Sequence, residues 1–297
     1  NMNKIEKVYF DHNATTRVDD EVLDAMMPYF QNKFGNPSSG HNLGIAGRQA
    51  INQAREQVAD SIEAQPSQVV FTSGGSESNN LFIQGATGYL KNPRIIISAI
   101  EHPCVLRPAK ELAQSTNKEC GLRQVIVDRS GRIIMSDVDK ALSEYPPNIV
   151  SVMLANNETG VIQEVANIAE KSRKLDALIH TDAIQAFGKI PVSFPSLNVH
   201  AMTLSSHKIY GPKGAAALII DKELVLRPQI FGGGHEGGLR SGTENVPAIV
   251  GFGKACELSK LRMEKSTIHV TKLRTHLEKR LIGMGAIIFG MNATRLP

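Results

Sequence analysis

An aspartate and a lysine, each closing an apolar run, are the residues of this sequence with the most chemistry in reach. They stand in His180-Thr181-Asp182-Ala183-Ile184-Gln185 and in Ser205-Ser206-His207-Lys208-Ile209-Tyr210-Gly211-Pro212-Lys213-Gly214. A carboxylate can keep a pyridine nitrogen protonated so that the ring accepts electrons, while a lysine amine can hold an aldehyde as a Schiff base and move protons. Together they describe a grip on pyridoxal 5'-phosphate. Chosen at random, such a pair would be a loop cap and a solvated side chain. Here Ala201 to Leu204 reads as a short buried strand, and a charged residue just after it, beside Gly and Pro, lies at the carboxyl edge where open α/β sheets bind ligands. Ser205 and His207 flank Lys208 with phosphate-binding donors.

Four further segments carry polar groups to the same kind of position. Thr72-Ser73-Gly74-Gly75-Ser76-Glu77-Ser78-Asn79 lies between a strand pattern and a helix pattern, where free backbone N–H groups and the positive helix end can hold a phosphate; an ordinary N-cap by Ser76 is the plainer reading. Glu101-His102-Pro103-Cys104 follows Arg94 to Ala99, so the His102 imidazole can stack on a cofactor ring and act as acid or base near neutral pH. Cys104 reads better as a small buried side chain at a helix start than as a nucleophile. Ala155-Asn156-Asn157-Glu158-Thr159-Gly160 and Gln185 supply amides that can reach a cofactor's phenolic oxygen or a substrate carboxylate. The glycine-dense Gly232 to Asn245 segment is read as a mobile lid or as a segment held by a ligand or a neighbouring subunit, with Arg240 and Thr243 available to a phosphate.

The elements that must position these residues alternate. Strand-like runs at Val69 to Phe71, Ile95 to Ile97, Ile149 to Leu154, Ala177 to His180, Ala201 to Leu204 and Ala215 to Ile220 are separated by helical patterns from about Ser76, near Val105 to Ser115 and near Val165 to Leu175. This predicts an α/β fold with a mostly parallel sheet flanked by helices. An amphipathic helix over Ile45 to Ile62 precedes the sheet. After Gly251 the pattern becomes one long charged helix ending near Gly283-Met284-Gly285, then a single strand-like run, Ala286 to Phe289, which cannot bury its apolar face alone.

With 297 residues, 41% hydrophobic and 21% charged, the chain fits a globular protein of one large domain and part of a second. Its apolar stretches fall short of the roughly 20 residues of a membrane span, and Lys4, Glu6 and Lys7 interrupt any leader-like run, so a cytoplasmic protein with no membrane association is expected. The +4 net charge gathers toward the C-terminal end without interleaved aromatics, the mark of a solvated helix face and not of nucleic-acid binding. Cys104, Cys120 and Cys256 form no metal-like spacing, so no metal site is expected and a reducing compartment is.

Phe10-Asp11-His12-Asn13-Ala14-Thr15-Thr16, Phe34-Gly35-Asn36-Pro37-Ser38-Ser39, the Thr72 to Asn79 cup, Glu101-His102, Asn156 to Gly160, Asp182 with Gln185, Ser205 to Gly214 and Arg240-Ser241-Gly242-Thr243-Glu244-Asn245 resemble, in order, the cysteine desulfurases of the class V aminotransferase-like group. The resemblance covers essentially the whole chain, and the Arg-Ser-Gly-Thr loop with the Ser-Ser-His-Lys run points to the desulfurases that feed iron–sulfur cluster assembly. It implies a fold-type I enzyme with a seven-stranded type of sheet. Residues 17–252 would form the large cofactor domain, 1–16 a segment of the small domain, and 253–297 the start of the rest. It also implies that Lys208 binds the cofactor aldehyde, Asp182 pairs with the pyridine nitrogen and His102 stacks on the ring. Gln185 and Asn157 would serve the phenolic oxygen and substrate, and Gly75, Ser76, Ser205 and His207 the phosphate. Thr243 would reach the phosphate of the other subunit of a homodimer, and Asn13, Asn36, Asn157 and Arg240 would line the substrate, L-cysteine. Ser76 stands where many relatives have Thr, which keeps the hydroxyl.

One departure matters. The family's persulfide-forming cysteine and a carboxylate-binding arginine lie in a C-terminal part that this sequence does not reach, and none of its three cysteines stands in that context. Without a thiolate at the substrate sulfur the covalent step lacks its nucleophile, so the chain is expected to bind cofactor yet desulfurate poorly. A sulfur-acceptor or scaffold protein is the expected partner. A lyase or transaminase of the same fold, and a non-catalytic dimeric scaffold, are the alternatives.

Overall fold

The computed structural model describes residues 8–115 and 121–297; Lys4, Glu6, Lys7 and Cys120 lie outside the described residues. In chain order the elements are α1 (Asp20–Met26), α2 (Pro28–Gln31), α3 (Asn42–Asp60), β1 (Val69–Thr72), α4 (Gly75–Thr87), β2 (Arg94–Ser98), α5 (Pro103–Ser115), β3 (Gly121–Val125), α6 (Met135–Glu144) and β4 (Ile149–Ser151). There follow α7 (Val165–Arg173), β5 (Leu178–Asp182), α8 (Phe194–Leu197), β6 (Ala201–Ser205), β7 (Ala216–Ile220) and α9 (Val246–Gly283).

The strands form one seven-stranded sheet in the order β1-β7-β6-β5-β4-β2-β3. β7 runs antiparallel to both neighbours and the remaining pairs are parallel, which matches the mostly parallel sheet expected. Successive strand residues alternate between two cores. Val69, Phe71, Ile96, Val150, Ile179, Met202, Leu204, Ala217 and Ile219 pack on the side of α3, α7 and α9. Val70, Ile95, Ile97, Ile149, Ala201 and Leu218 pack on the side of α4 and α5, against Leu81, Phe82, Ile83, Val105 and Ala109. Burial on both faces explains why these strands read as continuous apolar runs and not as alternating ones.

Two sequence expectations need correction. β3 was not predicted, because Gly-Leu-Arg-Gln-Val is a partly exposed edge strand with polar residues that, among the described residues, pairs with β2 alone. The expected strand at Ala286 to Phe289 does not form: the stretch is irregular, with Ile287 and Phe289 82% and 75% exposed. Backbone pairing falls instead on the residues after it, where Ile162 N donates to Thr294 O and Leu296 N to Gly160 O, both at 2.9 Å. Arg295 is held there by a bidentate pair with Glu278.

α9 starts earlier than its charge pattern indicates, at Val246, because Asn245 caps it by accepting from Ala248 N and a proline occupies its first turn. It runs unbroken through residue 252. Its first part is buried from Val246 to Leu258 against α3 and α1, whereas Leu261, Ile268, Leu273 and Leu277 further along are exposed.

Candidate active site

The α4 side of the sheet carries the site. Alternation along β5 puts His180 and Asp182 on one face, and along β6 puts Thr203 and Ser205 on the same face. His180 marks that face: its ring stacks on Phe82 of α4 at 4.7 Å, its Nδ1 lies 2.8 Å from Ser151 Oγ and its Nε2 2.9 Å from Thr203 Oγ1. Burial lowers its pKa to about 3, so it is a neutral structural crosslink. Beyond it, Asp182 ends β5 opposite Thr203.

Asp182 is 5% exposed, and among the described residues it has no cationic hydrogen-bond partner. Asn79 Nδ2 donates to Oδ2 at 2.8 Å and Ile184 N to Oδ1 at 3.0 Å. Burial raises its pKa, and those two donors and the charge of Lys208 offset part of the rise. Asn79 Nδ2 also lies 3.0 Å from Cys104 Sγ, and that sulfur is 2.8 Å from His102 Nδ1. Cys104 N donates to the same ring nitrogen at 3.2 Å. Since Nδ1 accepts, the neutral imidazole carries its proton on Nε2, a tautomer assigned from these partners. Cys104 is half-buried, less enclosed than the small buried side chain expected, and is pushed up to about 12 by burial and by Asp182.

Lys208 lies in a single turn after β6, and its Nζ donates to the carbonyls of Asn13 and Ala14. The N-terminal segment that supplies them is tied down by Thr16, whose hydroxyl donates to His207 O at 2.9 Å and accepts from Tyr210 N at 2.9 Å. Burial lowers the Lys208 pKa, opposed by Asp11 and Asp182. Gln185 Nε2 donates to Asn13 O at 3.1 Å, so Lys208, Gln185 and Asn13 meet at one carbonyl oxygen. His207 Nδ1 lies 3.1 Å from Thr15 Oγ1.

The cup at the start of α4 has no side-chain cap, which leaves its first N–H groups open. A Cβ at Gly75 would lie 2.2 Å from Ile184 Cδ1, so the end of that side chain, next to Asp182, would have to shift. Thr72 and Ser205 are both in register with Ala216, on either side of β7. Ser205 is 1% exposed, and its Oγ has no hydrogen-bond partner among the described residues.

These features fit pyridoxal phosphate. A buried carboxylate without a cation suits a pyridinium N–H, and an orphaned hydroxyl beside an uncapped helix start suits a phosphate.

Among the described residues no hydrogen bond ties Asn157, Asn36, Arg240 or Thr243 to Asp182, His102 or Lys208. Asn157 Nδ2 donates to Glu158 Oε1 at 2.8 Å, and Asn36 Oδ1 accepts from Ser38 N at 2.9 Å. Arg240 Nε pairs with Glu77 Oε1 at 2.9 Å in the first turn of α4. Burial raises the Glu77 pKa, but bonds from Ser73 and Arg240 bring it below the usual range. Thr243 is exposed. The glycine-dense segment, expected to be a lid or to need a ligand or a second subunit, is fastened by its own chain: Glu236 makes two bonds to Arg55, at 2.7 and 2.8 Å, and accepts from Phe71 N at 2.8 Å.

Sequence reasoning missed Asn79, Glu101 and Lys189. Glu101 is 6% exposed, accepts from Ser98 Oγ at 2.5 Å and from Met153 N at 2.7 Å, and is raised to about 8 by burial. Asn79 stood inside the quoted cup motif, and its place one turn into an otherwise apolar helix face was the available signal. Nothing in the pattern of the sequence marked Lys189.

The aminotransferase class-V family profile matches residues 8–296. A cysteine desulfurase of Sinorhizobium fredii is 43% identical over 98% of this chain and 75% of its own length. The cysteine desulfurase IscS of Dictyoglomus turgidum is 41% identical over 98% of the chain and 74% of its own. Among solved structures, a NifS-like protein superposes with a TM-score of 0.92 at 39% identity, over 97% of this chain and 80% of that one. The chain belongs to the class-V aminotransferase family and, within it, to the cysteine desulfurases, which use pyridoxal 5'-phosphate.

Proposed function

We propose that this chain binds pyridoxal phosphate between α4 and the carboxyl ends of β5 and β6 and acts there on L-cysteine, releasing L-alanine as the substrate sulfur passes to a thiolate supplied by an added thiol, because neither Cys104 nor Cys256 is an available thiolate. The observation that carries the reading is the buried Asp182, held by Asn79 without a cation partner. When bound, the cofactor supplies an electron-withdrawing ring. Asp182 would hold the proton on its nitrogen, and Lys208, with its proton affinity lowered by burial, would be the amine that binds the aldehyde and moves protons. His102 would flank the ring with its proton on Nε2 and serve as the second acid–base group. Gly75, Ser76, Ser205 and His207 hold the phosphate; Gln185 and Asn157 serve the phenolic oxygen, and Asn13, Asn36, Asn157 and Arg240 the substrate side.

We further propose a homodimer in which Thr243 completes the partner's phosphate site; its exposure on a fastened loop supports this. Residues 17–252 would be the cofactor domain, with 1–16 and 253–297 belonging to a smaller unit, as the loss of burial along α9 past Leu258 supports. Transfer of sulfur to an acceptor protein for iron–sulfur assembly in the cytoplasm is the further reading that a relative named IscS supports.

The test is the visible spectrum of the purified chain with added pyridoxal phosphate, beside Lys208→Ala, followed by alanine and sulfide assays with cysteine and an external thiol. A Lys208-dependent band and alanine formation are expected. No such band, or a keto acid in place of alanine, would overturn the reading.

A further inference from the structure

Lys189 is a half-buried ammonium that none of the roles above uses. Its Nζ donates to Gln185 Oε1 at 2.8 Å and to Asn13 Oδ1 at 3.1 Å, and it joins no ion pair with a carboxylate among the described residues. The chain returns to this point through Gly188, whose φ of +75° is left-handed and where a Cβ would lie 2.5 Å from Ile209 Cγ2 and 2.6 Å from Ser259 Oγ. On the far side, Thr267 of α9 donates its hydroxyl to Lys189 O at 3.0 Å. Turn and helix together hold the amine against the Gln185 amide.

A primary amide has one acceptor end and one donor end. With Oε1 taken by the ammonium, Nε2 is left to face the other way, and it does so at 3.1 Å from Asn13 O, the oxygen that also receives Lys208 Nζ. The charged groups acting on this cluster are Lys208 from the turn after β6, Asp11 from the N-terminal segment and Asp182 from β5. Burial, then the charge of Lys208, lowers Lys189 to about 8, so it is largely a cation at neutral pH.

We propose that Lys189 is a positioning residue whose ammonium fixes which end of the Gln185 amide faces Lys208, so that the site is offered N–H donors and not a carbonyl oxygen. The inference rests on the reading of Gln185 and Lys208 as cofactor groups. Its consequence is electrostatic. An N–H donor and a nearby cation make the Lys208 nitrogen harder to protonate, whereas a flipped amide would make it easier.

The experiment follows the pH titration of the Lys208-dependent visible band in the chain loaded with pyridoxal phosphate, for wild type, Lys189→Met, Lys189→Arg, Gln185→Met and the double variant Lys189→Met with Gln185→Met. Lys189→Met is expected to raise the midpoint by about one unit, a tenfold change in proton affinity, and Lys189→Arg to restore it. The double variant should shift by less than the sum of the two single shifts, because one residue acts through the other. If Lys189→Met does not fold, judged by its thermal transition, Lys189→Gln takes its place with the same expected direction. A wild-type midpoint in the Lys189→Met or Lys189→Gln chain, no rescue by Lys189→Arg, or fully additive shifts would overturn the inference alone. A wild-type chain with no Lys208-dependent band would overturn the cofactor reading beneath it.

Discussion

Asn79 Nδ2 stands 2.8 Å from Asp182 Oδ2, joining the second turn of α4 to the acid at the end of β5. The amide is fully buried and its other contact, Cys104 Sγ at 3.0 Å, leads on to His102. The two groups proposed to engage the cofactor ring are thus joined through two neutral side chains, Asn79 and Cys104.

Replacing Asn79 should therefore weaken cofactor binding without touching any proposed contact to it. Asn79→Leu keeps the volume but removes the donor, and a hydrogen bond to a charged group contributes about 1.5–3 kcal/mol. The expected loss is about 10- to 100-fold in pyridoxal phosphate affinity, read by absorbance titration. Unchanged affinity would mean that Asp182 is held by the backbone of Ile184 alone.

Glu101 gives the stability a definite pH dependence. Its folded pKa, raised to about 8 by burial, lies above the value of an exposed carboxyl, so between about pH 4.5 and 8 the folded state holds a proton that the unfolded state has released. Stability therefore falls as pH rises through that window. Glu101→Gln keeps an oxygen for Ser98 and Met153 N and cannot ionise. Melting curves of wild type and variant should converge near pH 5 and separate by about 2–4 kcal/mol in the variant's favour near pH 8.

The thiols offer a check on the geometry. Burial and Asp182 push Cys104 up to about 12, and burial raises Cys256, which is fully buried on α9. Neither should react with iodoacetamide within minutes at pH 7.5 in the native chain, and both should react after unfolding. Mass mapping of the alkylated peptides decides it, and rapid labelling of Cys104 would contradict its packing.

Thr16 is a third point of leverage, since its hydroxyl serves His207 O and Tyr210 N on either side of Lys208 and is 3% exposed. Thr16→Val preserves shape and leaves the Tyr210 N–H without this acceptor. A cost of about 2 kcal/mol is expected by denaturant unfolding, together with weaker pyridoxal phosphate binding because the Asn13–Ala14 carbonyls lose their anchor. A variant as stable as wild type would show that the segment is held mainly by Asp19 N donating to Tyr210 O.

The sheet was largely legible because its strands are buried on both faces, leaving runs such as Ile95 to Ile97 that only a core strand explains. β3 was not, since an edge strand keeps polar residues such as Arg123 and Gln124 that carry no such mark. In the proposed site, Asp182, His102 and Lys208 stood out in the sequence because each is a chemically demanding side chain at or shortly past the end of a strand. Asn79 and Lys189 did not. Both are proposed to act through other side chains, and such a role depends on a distance across the fold that no spacing along the chain encodes. The run Ala286 to Phe289 misled for the opposite reason: apolar content gives a strand only where another strand's backbone is available to pair with it.

The Arg55–Glu236 pair sits at an unusual place. β1 is an outer strand of the sheet. Arg55 Nη1 donates to Val69 O at 2.6 Å, and Glu236 accepts from Phe71 N, so two side chains occupy backbone groups that would otherwise be open to a further strand. An open strand border is a template on which another polypeptide can add itself. Closing it with a salt bridge lets the sheet end there, and a chain that lost the pair would be exposed to self-association through that border at concentrations where the intact one stays dispersed.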